Sequence, residues 1–301
     1  MNTVEAGKRI ALKNVLFATD FSPCSNAALP YALSVARRYG ATLHAAYVMP
    51  TDADLLFMSP ENWTSVAAEE DKRIRGHMEQ LKHQLQGLPH DVLTPRGKVS
   101  DALAQIIEAH EIDLLVLGTH GRTGVRKLVM GSVAEEIFRC AACPVLSVGP
   151  NVSCKPNGEI QFQRILFATD FSEDSLAALP YAISLAEEGQ AQLAILHVID
   201  QPAAGIADLE AVTASLMRRL KQLVPPEAEP RCHAECLLEF GRQFARPTER
   251  ILEIAGDRAA DLIVLGVRPV HGNLGVITHL ASTTAQQIAT YATCPVLSVR
   301  T

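Results

Sequence analysis

The stretch "NVLFATDFSPCSNAALPYALSVARRYGATLHAAYVM", residues 14–49, is written a second time as "RILFATDFSEDSLAALPYAISLAEEGQAQLAILHVI", residues 164–199. About half of the aligned positions are identical, at an offset of 150. Further along, "DLLVLG" (113–118) returns as "DLIVLG" (261–266), and "CPVLSV" (143–148) returns unchanged at 294–299. One order of elements run through twice is the mark of a duplicated domain. The segment between the copies, "GPNVSCKPNGEI", is rich in Gly, Pro and Asn, as linkers are. The chain therefore reads as two domains, residues 1–150 and 159–301.

Each copy alternates strand and helix patterns. "NVLFATD" is an apolar run of strand length. "NAALPYALSVARRYG" sets Ala27, Ala28, Tyr31, Ala32 and Val35 on one helical face, with Gly40 where a helix would end. "ATLHAAYVM" reads as a second strand, residues 62–86 as a long charged helix, and 91–95 as a short strand. "SDALAQIIEAH" is an amphipathic helix that Ser100 is placed to cap. "DLLVLG" and "PVLSVG" are apolar enough to be strands covered on both faces. The alternation implies a parallel sheet with right-handed crossovers and helices on both sides, five strands and four helices per half. Pro30 and Pro180 hold matching places, expected early enough in their helices that the missing donor costs little.

Composition bounds the function. At 301 residues, each half is long enough to bury its own core, and 48% apolar with 20% charged residues suits a globular protein. No apolar run approaches the roughly 20 residues that cross a bilayer, and the first residues lack an apolar signal core. A cytoplasmic protein without a membrane partner is the expectation. Residues 1–150 carry 15 Lys and Arg against 16 Asp and Glu; the remainder carries 12 against 17. Neither half has the basic excess of a nucleic-acid binder. Seven scattered cysteines argue against a secreted disulfide framework.

The chemistry gathers in "LGTHGRTGVRKLVMGSVAEEI", residues 117–137. In an open parallel sheet, ligands sit beyond the carboxyl ends of the strands where the strand order reverses. Gly118 closes a strand there. "GSVAEEI" looks like a helix start, with Ser132 and Glu135 spaced as a capping box. A helix N-terminus offers backbone N–H groups and a positive dipole end to phosphate. Gly118, Gly121 and Gly131 would let the backbone approach closely, and Arg122, Arg126 and Lys127 add charge. Neither the standard P-loop pattern nor G-x-G-x-x-G after a first strand occurs. On these residues alone, an anion site and a loop that merely turns a corner both stand.

Gly118-x2-Gly121-x9-Gly131-Ser132 resembles the nucleotide-binding signature of the universal stress protein family, and "LFATDFS", "VLG" and "CPVLSV" resemble its landmarks across both repeats. The resemblance implies two tandem doubly wound α/β domains, each a five-stranded parallel sheet of the adenine nucleotide alpha hydrolase-like type. It implies ATP, with or without Mg, in the first half. Asp20 would contact the nucleoside, as would Ala18 and Thr19 through their backbone, and Val48 would meet the adenine. Gly118, His120 and Gly121 would line the ribose and phosphates, and Gly131, Ser132 and Val133 would hold the phosphates. On local grounds Asp20 could instead cap the following helix. The resemblance also implies that the "CPVLSV" strands join the two halves about a pseudo-twofold axis. A homodimer is a further partner expectation.

The second copy keeps Asp170, Val198 and Gly266 and then departs. Its helix start comes three residues late as Ser282-Thr283-Thr284, a Cβ stands where Gly131 left open backbone, and loop cations fall to Arg268 beside His271 and His279. A structural or regulatory role is the reading for this half; a weakened or altered site stays open. "CAAC" (140–143) falls at a helix C-terminus, the wrong end of the dipole for a redox pair. "CHAEC" (232–236) offers three local zinc ligands, with His233 turned away from both cysteines on a strand. Trp63 is a core anchor or a lid. No Ser/His/Asp or paired-carboxylate arrangement announces catalysis. A nucleotide-dependent stress-response regulator fits best, against a slow ATPase or phosphoryl-transfer enzyme and a nucleotide-free interaction scaffold.

Overall fold

The computed structural model describes residues 10–49, 60–121, 130–153, 160–199, 209–241, 246–268 and 284–300, the side chains of 60–71, 229 and 230 excepted. The first half runs β1 (Asn14–Ala18), α1 (Pro23–Tyr39), β2 (Thr42–Ala46), α2 (Pro60–Leu85), β3 (His90–Leu93), α3 (Val99–Ala109), β4 (Leu114–Gly118), α4 (Ser132–Cys140), β5 (Val145–Val148). The second runs β6 (Arg164–Ala168), α5 (Glu173–Leu176), α6 (Leu179–Gly189), β7 (Gln192–Ile199), α7 (Leu209–Lys221), α8 (Glu229–Cys232), β8 (Ala234–Phe240), α9 (Pro247–Asp257), β9 (Leu262–Val267), α10 (Thr284–Tyr291), β10 (Val296–Arg300).

Each half is a parallel sheet in the order 3-2-1-4-5: β3-β2-β1-β4-β5 and β8-β7-β6-β9-β10. The order reverses between β1 and β4, and between β6 and β9, which is where such sheets open a crevice. β5 and β10 run antiparallel with Leu146 opposite Leu297, so the ten strands form one sheet.

Alternation along the strands explains the layers. Val15 and Phe17 face one core with α1, while Leu16 faces another with α3 and α4. All three are at most 1% exposed, which is why the strand reads as a continuous apolar run. Phe17 and its counterpart Phe167 each contribute roughly 1.5–3 kcal/mol by leaving water. Among the described residues no helix is long and apolar enough to cross a membrane.

Several local expectations are corrected. Pro30 lies inside α1, not in its first turn. Its counterpart Pro180 does sit at the start of α6, because the second copy's helix breaks into α5 and α6. The same dipeptide is thus tolerated in two ways. Ser100 lies one residue inside α3, with Lys98 at the cap position and no side-chain cap bond. Ser132 begins α4 behind a Gly131 cap, so the Ser132–Glu135 capping box does not form. Gly40 ends α1 at φ 64°, as its place at the helix end led us to expect. The Trp63 side chain, the 154–159 linker and the 122–129 loop lie outside the described residues.

Candidate functional site

The corner after β1 is built from "ATDFS". Thr19 Oγ1 accepts the Phe21 N–H at 3.0 Å, and Asp20 Oδ1 accepts the Ser22 N–H at 3.0 Å. These bonds hold Phe21 at φ 60°, unusual for a bulky residue, with its ring stacked on Tyr47 at 5.2 Å. Ser22, not Asp20, caps α1 by accepting the Ser25 N–H at 3.2 Å. Asp20 is therefore not the helix cap; its second oxygen stands against Gly121, where an added Cβ would come within 3.0 Å.

Gly118 closes β4, and packing of the chain alone requires a glycine there. A Cβ there would stand 2.6 Å from the backbone of Cys24, so the residue must be glycine for α1 to pack on β4. Beyond it, Ser22 Oγ donates to the His120 carbonyl at 3.2 Å, and His120 Nδ1 meets Thr119 Oγ1 at 2.9 Å. The Gly131 N–H donates to the Thr119 carbonyl at 2.9 Å, which brings the start of α4 back beside the β4 end. With glycine as its cap, α4 has no cap side chain bonded to its first N–H groups.

All ten positions singled out in the sequence, Ala18, Thr19, Asp20, Val48, Gly118, His120, Gly121, Gly131, Ser132 and Val133, line one cleft of about 610 Å³. It lies at the carboxyl ends of β1 and β4. Its deep wall is apolar, from Ala46, Val48, Leu103 and Leu117. The mouth carries a feature that sequence reasoning missed: Lys98, at the cap of α3, is paired with Glu136 on α4. That hydrogen bond draws the Glu136 carboxyl below its ordinary range. The only sequence signal was repetition, since the cap of α9 is also basic, at Arg246. The charges at Arg122, Arg126 and Lys127 fall outside the described residues.

The second half repeats the corner. Thr169 Oγ1 accepts from Phe171 N–H at 2.9 Å, Asp170 Oδ1 from Ser172 N–H at 2.9 Å, and Phe171 takes φ 62°. Gly266 is again forced, with a Cβ only 2.0 Å from the Asp174 carbonyl oxygen. The difference is at the place of His120, where Arg268 stands. Its guanidinium reaches Asp170 at 3.2 Å and Asp174 at 3.7 Å. Burial pushes the Asp170 carboxyl up, but hydrogen bonds from Ser172 and the Arg268 charge outweigh it and hold the group below its usual range. In the second half the corner carboxylate is thus engaged by a cation two residues beyond the fourth-strand glycine, a position that holds His120 in the first half.

The two cysteine motifs lack the features of a reactive site. Cys140 is exposed at the end of α4, while burial pushes the Cys143 thiol up to about 12, away from an activated thiolate. Cys232 is buried and His233 is a left-handed turn residue after α8, not a strand residue as expected.

With this geometry in hand, comparison with known proteins is specific. The model of the family described as "Universal stress protein family" matches residues 11–149 and again 161–300. A universal stress protein of Methanocaldococcus jannaschii is 25% identical over 150 residues, 49% of this chain and 88% of the relative. Universal stress protein A homolog 1 of Coxiella burnetii is 32% identical over 139 residues, 45% of this chain and 95% of the relative. The crystal structure of a universal stress protein from Archaeoglobus fulgidus superposes with a TM-score of 0.65 at 22% identity, covering 95% of this chain and 98% of that one. That last likeness is one of fold.

Proposed function

The chain belongs to the universal stress protein family, and on that premise we propose that its first half binds an adenine nucleotide, ATP, in the cleft above β1 and β4. The observation that supports this is the convergence of an apolar wall, the Asp20 carboxylate and the N-terminus of α4 on a space of about 610 Å³, within the few hundred to about 1,000 Å³ typical of small-molecule sites. Val48 and the apolar wall suit a purine. Asp20 suits a hydroxyl or amine donor. The first N–H groups of α4, at Ser132 and Val133, suit phosphate oxygens, and Gly121 and Gly131 leave the room a phosphate needs. Mg would arrive with the phosphates, for which Asp20 and Ser132 are the nearby oxygen donors.

In this reading the protein is a stress-response switch whose state follows nucleotide occupancy, with residues 1–150 as the binding domain. Residues 159–301 act as its built-in structural partner through the β5–β10 seam. Ser132→Glu tests the site, because it puts a carboxylate where phosphate would sit without filling the core. Affinity for Mg-ATP is expected to weaken at least tenfold with the fold unchanged by circular dichroism. Unchanged affinity would remove the cleft from the account.

A further inference from the structure

At the opposite end of the first half from the nucleotide cleft, His44, Asp91 and His110 converge. His44 sits mid-strand on β2, with Asp91 as its register partner on β3, so the two side chains leave the same face of the sheet. That face also carries Leu16 and Ala46 and is covered by α3. His110 terminates α3 as its C-cap and lays its ring against that of His44, centroids 4.6 Å apart. One ligand atom from each of the three residues lies within 4.8 Å of the others.

Two observations set this cluster apart from a packed histidine. The His44 side chain is 5% exposed, and both its ring nitrogens are buried without a hydrogen-bond partner. Buried polar atoms ordinarily have one, because leaving it unmade forfeits the hydrogen bond that water would supply. His44 Nδ1 stands 3.2 Å from Asp91 Oδ2, outside hydrogen-bond geometry. Two ligands on one tetrahedral ion, each at about 2.0–2.1 Å, stand roughly 3.3 Å apart. Asp91 is 56% exposed on the edge strand β3, so an ion has a path in from solvent.

The second half supplies the control. There Ala194 replaces His44, Glu235 is its register partner in place of Asp91, and Arg258 is the C-cap of α9 in place of His110. The Arg258 guanidinium pairs with the Glu235 carboxylate. The same corner of the fold thus neutralises its carboxylate with a cation of the chain in one half and faces it with two imidazoles in the other.

We propose that His44, Asp91 and His110 form a binding site for a divalent transition-metal ion of the zinc class, with two imidazoles and one carboxylate as ligands and a remaining position open to solvent or a further ligand. Two imidazoles and a carboxylate are a donor set that suits zinc and its first-row neighbours and not calcium or magnesium.

The test is a titration of the full chain, stripped of metal by a chelator, with Co²⁺ followed by Zn²⁺ displacement. Two variants run beside it: Asp91→Asn, and the double variant His44→Ala with His110→Arg, which copies the arrangement of the second half. The wild type is expected to take up one Co²⁺ per chain with visible ligand-field absorption that Zn²⁺ abolishes. Both variants are expected to bind at least tenfold more weakly. The wild type failing to saturate, or variants that bind as tightly as it does, would overturn the proposal, since the ion would then rest on other histidines of the chain. Should the double variant fail to fold, Asp91→Asn, a near-isosteric change at a half-exposed site, decides the question alone.

Discussion

The two halves of this chain share one strand order and differ in chemistry at two matched corners of the sheet. Both turn the corner after their first strand with a phenylalanine near φ 60°, and both require glycine at the end of the fourth strand. What changes is the residue two places further on: His120 in one copy, Arg268 in the other. The corner carboxylate of the first copy, Asp20, lines a cleft, and that of the second, Asp170, is joined to the guanidinium of the residue that takes the place of His120. At the far end of the sheet the relation runs in parallel, with His44 and His110 against Asp91 replaced by Arg258 against Glu235. A duplicated fold keeps its packing rules because a violation disrupts the core, whereas positions at the sheet ends are freer to change use.

The comparison can be broken at its shared frame first. If β5 and β10 pair as the seam between the halves, their amides should exchange at least on the order of a thousandfold more slowly than an unstructured chain, as core strands do. Rapid exchange of both strands would contradict the seam. Next come the forced glycines. Gly118→Ala and Gly266→Ala each drive a Cβ into backbone, at 2.6 and 2.0 Å. Each should destabilise the nucleotide-free protein by about 1–3 kcal/mol in urea unfolding, Gly266→Ala the more. A neutral Gly118→Ala that weakens only nucleotide binding would return that glycine to the ligand. The smallest effects on the fold come from the position that differs. His120→Arg should engage Asp20 and lower Mg-ATP affinity about tenfold. Arg268→His should cost no more than about 1 kcal/mol, as exposed ion pairs do. If His120→Arg binds nucleotide like the wild type, the corner cation is not what separates the halves.

Much of this was legible in the sequence. The repeat, the apolar strands and the Gly40 helix end follow from local pattern, which is strong where both faces of a strand are buried. The ten cleft positions were implied by the family resemblance that the spacing of Gly118, Gly121, Gly131 and Ser132 carries; local pattern alone left an anion site and a simple turn both open. What stayed hidden depended on residues far apart in the chain. The partnership of Arg268 with Asp170 spans 98 positions and that of Lys98 with Glu136 spans 38. His44, Asp91 and His110 meet only once β2, β3 and α3 are assembled. The glycine at 118 was legible as a requirement, but the part α1 plays in it was not, because the Cys24 backbone reaches β4 only in the assembled fold. Ser100 was misjudged as a cap because helix ends shift by a residue or two without a strong local signal.

The central claim is that one half binds nucleotide and the other does not. Calorimetric titration of the nucleotide-stripped chain with Mg-ATP measures this directly, with Ser132→Glu alongside. The account predicts one ATP per chain, lost or strongly weakened in the variant. Two ATP per chain would show that the Arg268–Asp170 pair does not disable the second half, and no binding at all would leave the cleft without the ligand assigned to it.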